Sequence, residues 1–208
     1  MTIFRDPGPR ERRLLAFLER RRRTAVEKRG ELDRRALPRL FRKRAIVFTD
    51  MADFTVRTAR DGILHFLMLF ERVLERLEPV VRRSRGEIVK VEADSLLLRF
   101  DDPAAACRGV AALEAALLRH NKTIPENEHV RFSYGIGFGD VLDLERDLFG
   151  LEVNLASKLG EDLAKPGEAL LTPAAAASLD RATLRKVVAH RVVTFGRSAV
   201  AVSRLKLK

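Results

Sequence analysis

The chain has 208 residues, of which 46% are hydrophobic and 33% are charged, and its formal net charge is +11. Its only cysteine, Cys107, excludes an intramolecular disulfide and a cysteine-based zinc cluster. The first residues lack the apolar stretch of a signal peptide, and no apolar run is long enough to span a bilayer. We therefore expect a globular cytoplasmic protein with one domain of ordinary size and an extension.

The positive charge is concentrated at one end of the chain. Residues 1–44 contain 16 Lys and Arg against 6 Asp and Glu, whereas residues 45–208 contain 24 against 23. We accordingly divide the chain into a basic helical extension, residues 1–44, and a domain, residues 45–208.

Within the extension, the spacing of apolar residues predicts one helix over residues 10–29, ended by Gly30. The apolar side of this helix is narrow, which favours a solvated or dimer-packing helix that leads into the domain. The alternative is that its basic run, residues 20–23, binds an acidic partner or a membrane surface electrostatically. No motif indicates specific nucleic-acid binding.

From residue 45 onward the hydrophobic pattern alternates between strand and helix periods. Strands are predicted at 45–49, 87–92, 95–100, 130–136, 141–144 and 169–172, with a final pair within 187–207. Helices are predicted at 62–83, 103–119, 153–163 and 173–179. The order β-α-β-β-α-β, followed by further αβ units, is that of a ferredoxin-like α+β core.

Two aspartates follow neighbouring predicted strands. Asp50 ends the apolar strand in VFTDMADFT, residues 47–55, and Asp94 lies in the short turn of the predicted hairpin at residues 87–100. A carboxylate at the end of a buried strand is unfavourable unless a cation meets it, and two converging carboxylates are typical of a Mg²⁺ site. Considered alone, each aspartate is more often part of a turn or a helix cap.

Four collinear segments extend this pattern over residues 47–172. They are VFTDMADFT, GEIVKVEADSLLLRF at residues 86–100, DLFGLEVNLASKL at residues 147–159, and LAKPGEALLT at residues 163–172. Together these segments resemble the catalytic domain of class III nucleotidyl cyclases. The glycine-rich GIGFG at residues 135–139 does not open a helix, so we interpret it as a feature of the sheet and not as a phosphate loop.

The resemblance implies a site for two divalent metal ions, Mg²⁺ or Mn²⁺. Asp50 and Asp94 match the metal-binding aspartates of the family, and Met51 belongs to the same site. The segment that continues through Phe54 and Thr55 would contact the triphosphate. The reaction implied is metal-assisted attack of the ribose 3′-hydroxyl on the α-phosphorus, with release of pyrophosphate.

The resemblance also implies which base is recognised. Lys90 stands where adenine-selecting members carry Lys and guanine-selecting members carry Glu. Asp147 matches the second base-reading position, where an aspartate can accept a hydrogen bond from the adenine amino group. This pair favours ATP, although Lys90 alone would be read as an exposed strand lysine.

Asn154 matches the asparagine that orients the ribose, but Lys158 occupies the position of the family's transition-state arginine. Lysine lacks the planar fork of arginine, so this exchange is expected to weaken catalysis. Ala93 stands where the family turn usually has glycine, and it costs about 1 kcal/mol if the turn requires positive φ. Arg197 and Lys206 are candidates for a further triphosphate-binding cation.

Because the family builds its site from two domains and this chain carries both residue sets, a homodimer with two equivalent sites is expected. The leading hypothesis is an adenylate cyclase that makes cyclic AMP and pyrophosphate from ATP. The alternative is a weak or inactive cyclase-like domain that binds nucleotide or a partner in a regulatory role. A guanylate cyclase is the lesser variant.

Overall fold

The structure, a computed structural model, describes residue 4, residues 6–195 and residues 198–207. Its helices are α1 (Pro9–Arg23), α2 (Val26–Leu40), α3 (Phe54–Asp61), α4 (Ile63–Arg83), α5 (Pro103–Asn121), α6 (Leu151–Lys158), α7 (Pro173–Ala177) and α8 (Arg181–Leu184). Its strands are β1 (Phe41–Met51), β2 (Gly86–Glu92), β3 (Ser95–Phe100), β4 (Phe132–Asp143), β5 (Leu148–Phe149), β6 (Ala169–Leu171), β7 (Val187–Phe195) and β8 (Ser198–Leu205). None of the described helices is long and apolar enough to cross a membrane.

One mixed sheet contains these strands in the order β2-β3-β1-β4-β6-β8-β7, with β5 paired to β4. Strand β1 runs antiparallel to both β3 and β4, which gives the β2-β3-β1-β4 order of a ferredoxin-like unit. Strand β6 then adds in parallel to β4. The predicted α+β class, with a β-α-β-β-α-β core and appended αβ units, is confirmed.

Both faces of the central strand β1 are buried. Ala45 and Val47 face the main core, which α4 and α5 cover, whereas Ile46 faces a second cluster formed with α6. Helix α5 begins where the sequence predicts, because the Asp102 carboxylate accepts a hydrogen bond from the Ala105 N–H at 2.8 Å. A strand covered on both sides positions its final residues firmly, and Asp50 is one of them.

The extension departs from its prediction. It forms two helices, α1 and α2, separated at Thr24, where ψ of 134° leaves the helical region. The prediction that Gly30 ends a helix is wrong, since Gly30 lies within α2, where one glycine costs only about 1 kcal/mol among good helix formers. An ion pair between Arg21 and Asp33, at 2.8 Å, joins the two helices. Strand β1 begins at Phe41, so the division between residues 44 and 45 falls inside this strand.

A groove of about 1120 Å³ lies between α1 and α2. Its lining includes one acidic residue, Glu31, and six cationic ones: Arg13, Arg20, Lys28, Arg35, Arg39 and Arg42. Apolar side chains, among them Phe17 and Leu32, line it as well. The sequence left open an acidic or membrane-surface partner, which stays untested, and the cations of this groove are where such a partner would bind.

The segments 130–136 and 141–144 are not two strands, as predicted, but parts of the single strand β4. Strand β1 pairs with it along its whole length, from Met51 opposite Phe132 to Phe41 opposite Leu142. The glycines of GIGFG lie inside this strand, as predicted, because α6 packs directly on their backbone. A Cβ atom at Gly135 would lie 1.9 Å from the Ala156 carbonyl oxygen, and one at Gly137 would lie 2.5 Å from that of Glu152.

The predicted helix over residues 153–163 is α6 followed by a π-helical turn, Leu159–Leu163. This turn passes close to β1, because a Cβ atom at Gly160 would lie 2.8 Å from the Phe48 carbonyl oxygen. The turn therefore carries Glu161 and Asp162 toward the end of β1.

Gly135→Ala should destabilise the fold by at least about 2 kcal/mol, because its methyl group would overlap the backbone of α6. Gly30→Ala is the matched control, since a Cβ atom there meets nothing within 4 Å and alanine favours the helix. It should stabilise by about 0.5–1 kcal/mol. Urea unfolding of the two variants measures both changes, and equal stabilities would contradict the close contact.

Candidate functional site

Asp50 and Asp94 lie at neighbouring strand ends. Asp50 is next to last in β1, where it pairs with Ser95 of β3 and Ser133 of β4. Asp94 is in the turn between β2 and β3, directly before Ser95. Both carboxylates are half-buried, and the Ser95 hydroxyl lies 3.5 Å from Oδ1 of Asp50. The structure thus brings the two predicted metal ligands together.

The site carries uncompensated negative charge. Burial, together with the charges of Asp94, Glu161 and Asp162, raises the pKa of Asp50 to about 6 against the opposing hydrogen bond from Ser95. Burial also raises the pKa of Asp94. No Lys or Arg among the described residues forms an ion pair with either aspartate. A cation would therefore be bound favourably here.

The donor set suits a hard divalent ion that brings its own additional ligands. The described part of the chain contains no group of three or more His, Cys, Asp or Glu arranged around one metal ion. Mg²⁺ commonly uses one or two carboxylates and completes its shell with water and substrate phosphates, which fits Asp50 and Asp94. The side chain of Met51 is 2% exposed and packs in the core, so only its main chain could contribute to such a site.

Ala93 has φ of +51°, in the left-handed region. The turn that presents Asp94 therefore requires the backbone conformation that glycine adopts readily. Alanine pays roughly 1 kcal/mol for this conformation.

Lys90 and Asp147 are in contact, although 57 positions separate them. Lys90 Nζ lies 3.3 Å from Asp147 Oδ2 and 2.9 Å from Glu92 Oε2. The hydrogen bond to Glu92, followed by the charge of Asp147, raises the pKa of Lys90. Oδ1 of Asp147 accepts the Leu148 N–H at 2.8 Å, which fixes the carboxylate. The two predicted base-reading groups thus form one unit.

Asn154 and Lys158 are exposed and lie four residues apart on α6, so they share one face of the helix. Lys158 Nζ forms an ion pair with Asp162 Oδ2 at 2.8 Å, and this hydrogen bond raises the pKa of Lys158. Asp162 is not among the predicted site residues, although its i+4 spacing from Lys158 is a signal for such a pair.

The two remaining predicted contacts lie at the beginning of α3. The Phe54 ring packs edge-on against Phe66, with centroids 4.5 Å apart, so its side chain belongs to the core and only its backbone is available to a ligand. Thr55 is exposed. Of the candidate triphosphate cations, Arg197 lies outside the described residues, and Lys206 lines a separate cavity of about 240 Å³ with Glu114 and Glu168.

Sequence reasoning also missed Ser133. Its hydroxyl lies 2.8 Å from the Gly160 carbonyl oxygen and 3.3 Å from that of Asp50. It therefore ties the π-helical turn to the end of β1. A buried serine in an apolar strand was the only signal in the sequence.

Known proteins resemble this chain in sequence over more than half of its length. Putative adenylate cyclase 3 of Rhizobium meliloti is 32% identical over 123 residues, which are 59% of this chain and 21% of the relative. A serine/threonine-protein kinase of Myxococcus xanthus is 28% identical over 66% of this chain and 16% of the relative. An adenylate cyclase of Streptomyces coelicolor is 33% identical over 57% of this chain and 29% of the relative. The chain thus spans less than a third of the length of each.

Solved structures share the fold over most of the chain. The guanylyl cyclase Cya2 superposes with a TM-score of 0.69 at 17% identity, covering 79% of this chain and 92% of that one. An adenylate/guanylate cyclase/hydrolase from Silicibacter pomeroyi superposes with a TM-score of 0.61 at 26% identity, covering 79% and 96%. No family model matches the chain. With the adenylate cyclases among its sequence relatives and the cyclase catalytic domains among its structural neighbours, the chain belongs to the class III adenylate/guanylate cyclase catalytic domain family.

Proposed function

We propose that this protein is a nucleotide cyclase that converts ATP to cyclic AMP and pyrophosphate. The contact between Lys90 and Asp147 is the observation that carries the choice of ATP. Cyclases among the relatives and structural neighbours support the reaction class. The half-buried carboxylates of Asp50 and Asp94 supply the negative charge that would bind the divalent metal ions of this reaction.

The paired donor and acceptor match adenine better than guanine. The Lys90 ammonium can donate to the unprotonated N1 of adenine, and the Asp147 carboxylate can accept from its amino group. Guanine presents an N–H and a carbonyl at the corresponding edge, which would leave the donor and the acceptor of this pair mismatched. Such a mismatch, which leaves the polar groups of the site unpaired, is a strong basis for selection.

The other predicted site residues would bind the metal ions, the phosphates and the ribose. Asp50, Asp94 and the main chain of Met51 would hold divalent metal ions, which when bound acidify the ribose 3′-hydroxyl and neutralise the triphosphate. The backbone at Phe54 and Thr55 would contact the phosphates. Asn154 would orient the ribose by its side-chain amide. Lys158 would place positive charge beside the α-phosphorus while the bond between that phosphorus and the leaving pyrophosphate breaks.

A homodimer would complete each site, with the carboxylates from one protomer and the base-reading groups from the other. Large apolar side chains on α3 and α4 are exposed in the single chain: Val56, Ile63, Leu64, Leu67 and Met68. Such a patch is typical of a surface that a partner covers. Among the structural neighbours, the guanylyl cyclase domain of the RhoGC fusion protein from Blastocladiella emersonii is described as a non-canonical dimer in one structure and, as a double mutant, as monomeric in another.

A second candidate is a cyclase-like domain that binds nucleotide with little turnover, in a regulatory role. Two observations favour it. Lys158 is engaged by Asp162, so it must leave an ion pair before it can meet a phosphate. Ala93 holds the turn of Asp94 in a conformation that costs free energy.

The decisive experiment is the production of cyclic AMP from ATP with Mn²⁺ by the purified protein. Lys158→Arg should raise kcat by about tenfold, because the guanidinium can grip two phosphate oxygens at once. Lys165→Arg is the matched control, because it makes the same exchange at an exposed position outside the proposed site. No cyclic AMP from the wild type, and none from Lys158→Arg, would contradict the enzyme and leave the binding domain.

Base selection is tested by Lys90→Ala. Loss of its hydrogen bond should reduce the preference of kcat/KM for ATP over GTP by about 10- to 100-fold. Lys43→Ala is the matched control, because Lys43 is an exposed lysine of β1 with no ion pair among the described residues. The assignment fails if both variants keep the wild-type preference.

Asp50→Asn should abolish turnover and yet stabilise the metal-free fold. At pH 7.5 the carboxylate is ionised, above its pKa of about 6, and its charge opposes folding. After allowance for solvent screening, its removal should add roughly 1 kcal/mol, or a few degrees in Tm.

Thermal unfolding with and without Mn²⁺ measures this effect. The metal should raise the Tm of the wild type but not of Asp50→Asn. Asp140→Asn, which alters an exposed aspartate of β4, should behave as the wild type. A Tm of Asp50→Asn that still rises with Mn²⁺ would remove Asp50 from the metal site.

A further inference from the structure

The beginning of α1 is fastened to the turn that follows β4. The first N–H groups of a helix have no partner within it, and α1 has no capping side chain of its own. The Arg10 N–H donates instead to the Glu145 carboxylate, 2.9 Å from Oε1. The Glu145 N–H in turn donates to Oε1 of Glu11 at 3.2 Å. The extension and the domain thus cap each other's backbone.

Asp143, the last residue of β4, strengthens this attachment. Its side chain is 1% exposed, and its carboxylate accepts hydrogen bonds from the guanidinium groups of Arg10, Arg44 and Arg99. A buried carboxylate is costly unless cations meet it. Arg10 comes from α1, so the extension supplies part of the charge that this strand end requires.

Gly8, the N-cap residue of α1, permits the close approach. A Cβ atom there would lie 2.7 Å from Oε2 of Glu11 and 2.9 Å from the carboxyl carbon of Glu145. Glu11 is itself only 3% exposed. The contact is therefore closely packed on the side of Glu11, whereas the hydrogen bond from the Arg10 N–H to Glu145 is exposed.

The fastened turn leads directly to Asp147. The Leu144 carbonyl accepts a hydrogen bond from Arg99 at 3.0 Å, and the Leu144 N–H donates to the Asp147 carbonyl at 3.1 Å. The Leu144 side chain is buried. Asp147 therefore stands two residues beyond Glu145, at the end of a turn whose beginning is held by Arg10, Glu11 and Arg99.

We propose that Arg10 and Glu11 are positioning residues, which set Asp147 through Glu145 and Asp143 and thereby sharpen the selection of adenine. This inference rests on the proposed role of Asp147. A freer turn would let the Asp147 carboxylate leave the position where it meets Lys90 and the base, and small displacements of binding groups are costly. The extension thus acts on substrate choice.

Glu145→Ala and Arg10→Ala should each raise KM for ATP by roughly three- to tenfold and reduce the preference for ATP over GTP by a similar factor, while kcat changes less than about twofold. Glu145→Gln keeps an acceptor oxygen and should restore most of the affinity. Arg13→Ala is the matched control, because it removes the same charge from an exposed position of α1. Equal effects in Arg13→Ala would overturn the inference.

Hydrogen–deuterium exchange separates this inference from the proposed reaction. The amides of residues 144–148 should exchange faster in Glu145→Ala than in the wild type and Arg13→Ala. Unchanged exchange overturns the inference, as does faster exchange with unaltered relative affinity for ATP and GTP in equilibrium binding. A wild type that makes no cyclic AMP counts against the reaction alone, because exchange and binding are still measured.

Discussion

The direct contact between helix α6 and the backbone of β4 is the constraint on which the rest of the site depends. Gly135 and Gly137 leave room for the carbonyl groups of α6, and no other residue would. This contact sets the height of Asn154 and Lys158 above the sheet. It also brings the π-helical turn beside β1, where Ser133 joins it to Asp50. The position of each catalytic candidate therefore follows from how closely one helix approaches one strand.

The two halves of the site differ in how their charges are balanced. The half with Asp50 and Asp94 has negative charge that no described Lys or Arg pairs with, and Glu161 and Asp162 add to it. In the other half, carboxylates already engage both cations: Glu92 and Asp147 hold Lys90, and Asp162 holds Lys158. A triphosphate without metal would be repelled by the carboxylates of the first half. In the second half it would have to compete with carboxylates for Lys90 and Lys158. A nucleotide bound together with divalent metal satisfies both.

Sequence patterns were sufficient where the determining contacts are local. The hairpin around Ala93 and the cap at Asp102 follow from a few adjacent residues, and the collinear segments identified the Lys90–Asp147 pair. Other distant contacts escaped prediction. The sequence pattern divided β4 into two strands, whereas its pairing with β1 along the whole length makes it one. The motif assigned the segment at Phe54 to the phosphates, which stays a prediction for its backbone, but it gave no sign that the Phe54 ring packs on Phe66 of α4.

The extension shows why net charge is a poor guide to function. Most of its cations are exposed or face the groove between α1 and α2, where they set only a general preference for acidic surroundings. Arg10 is also partly exposed, but it differs because it binds a buried carboxylate that Arg44 and Arg99 share, so its loss would leave that carboxylate less fully compensated. One cation in a hydrogen-bonded network can therefore matter more than the excess positive charge of the rest of the extension. The coupling of the extension to the site depends on this geometry, since an equally basic helix α1 without Arg10 would contribute no cation to Asp143.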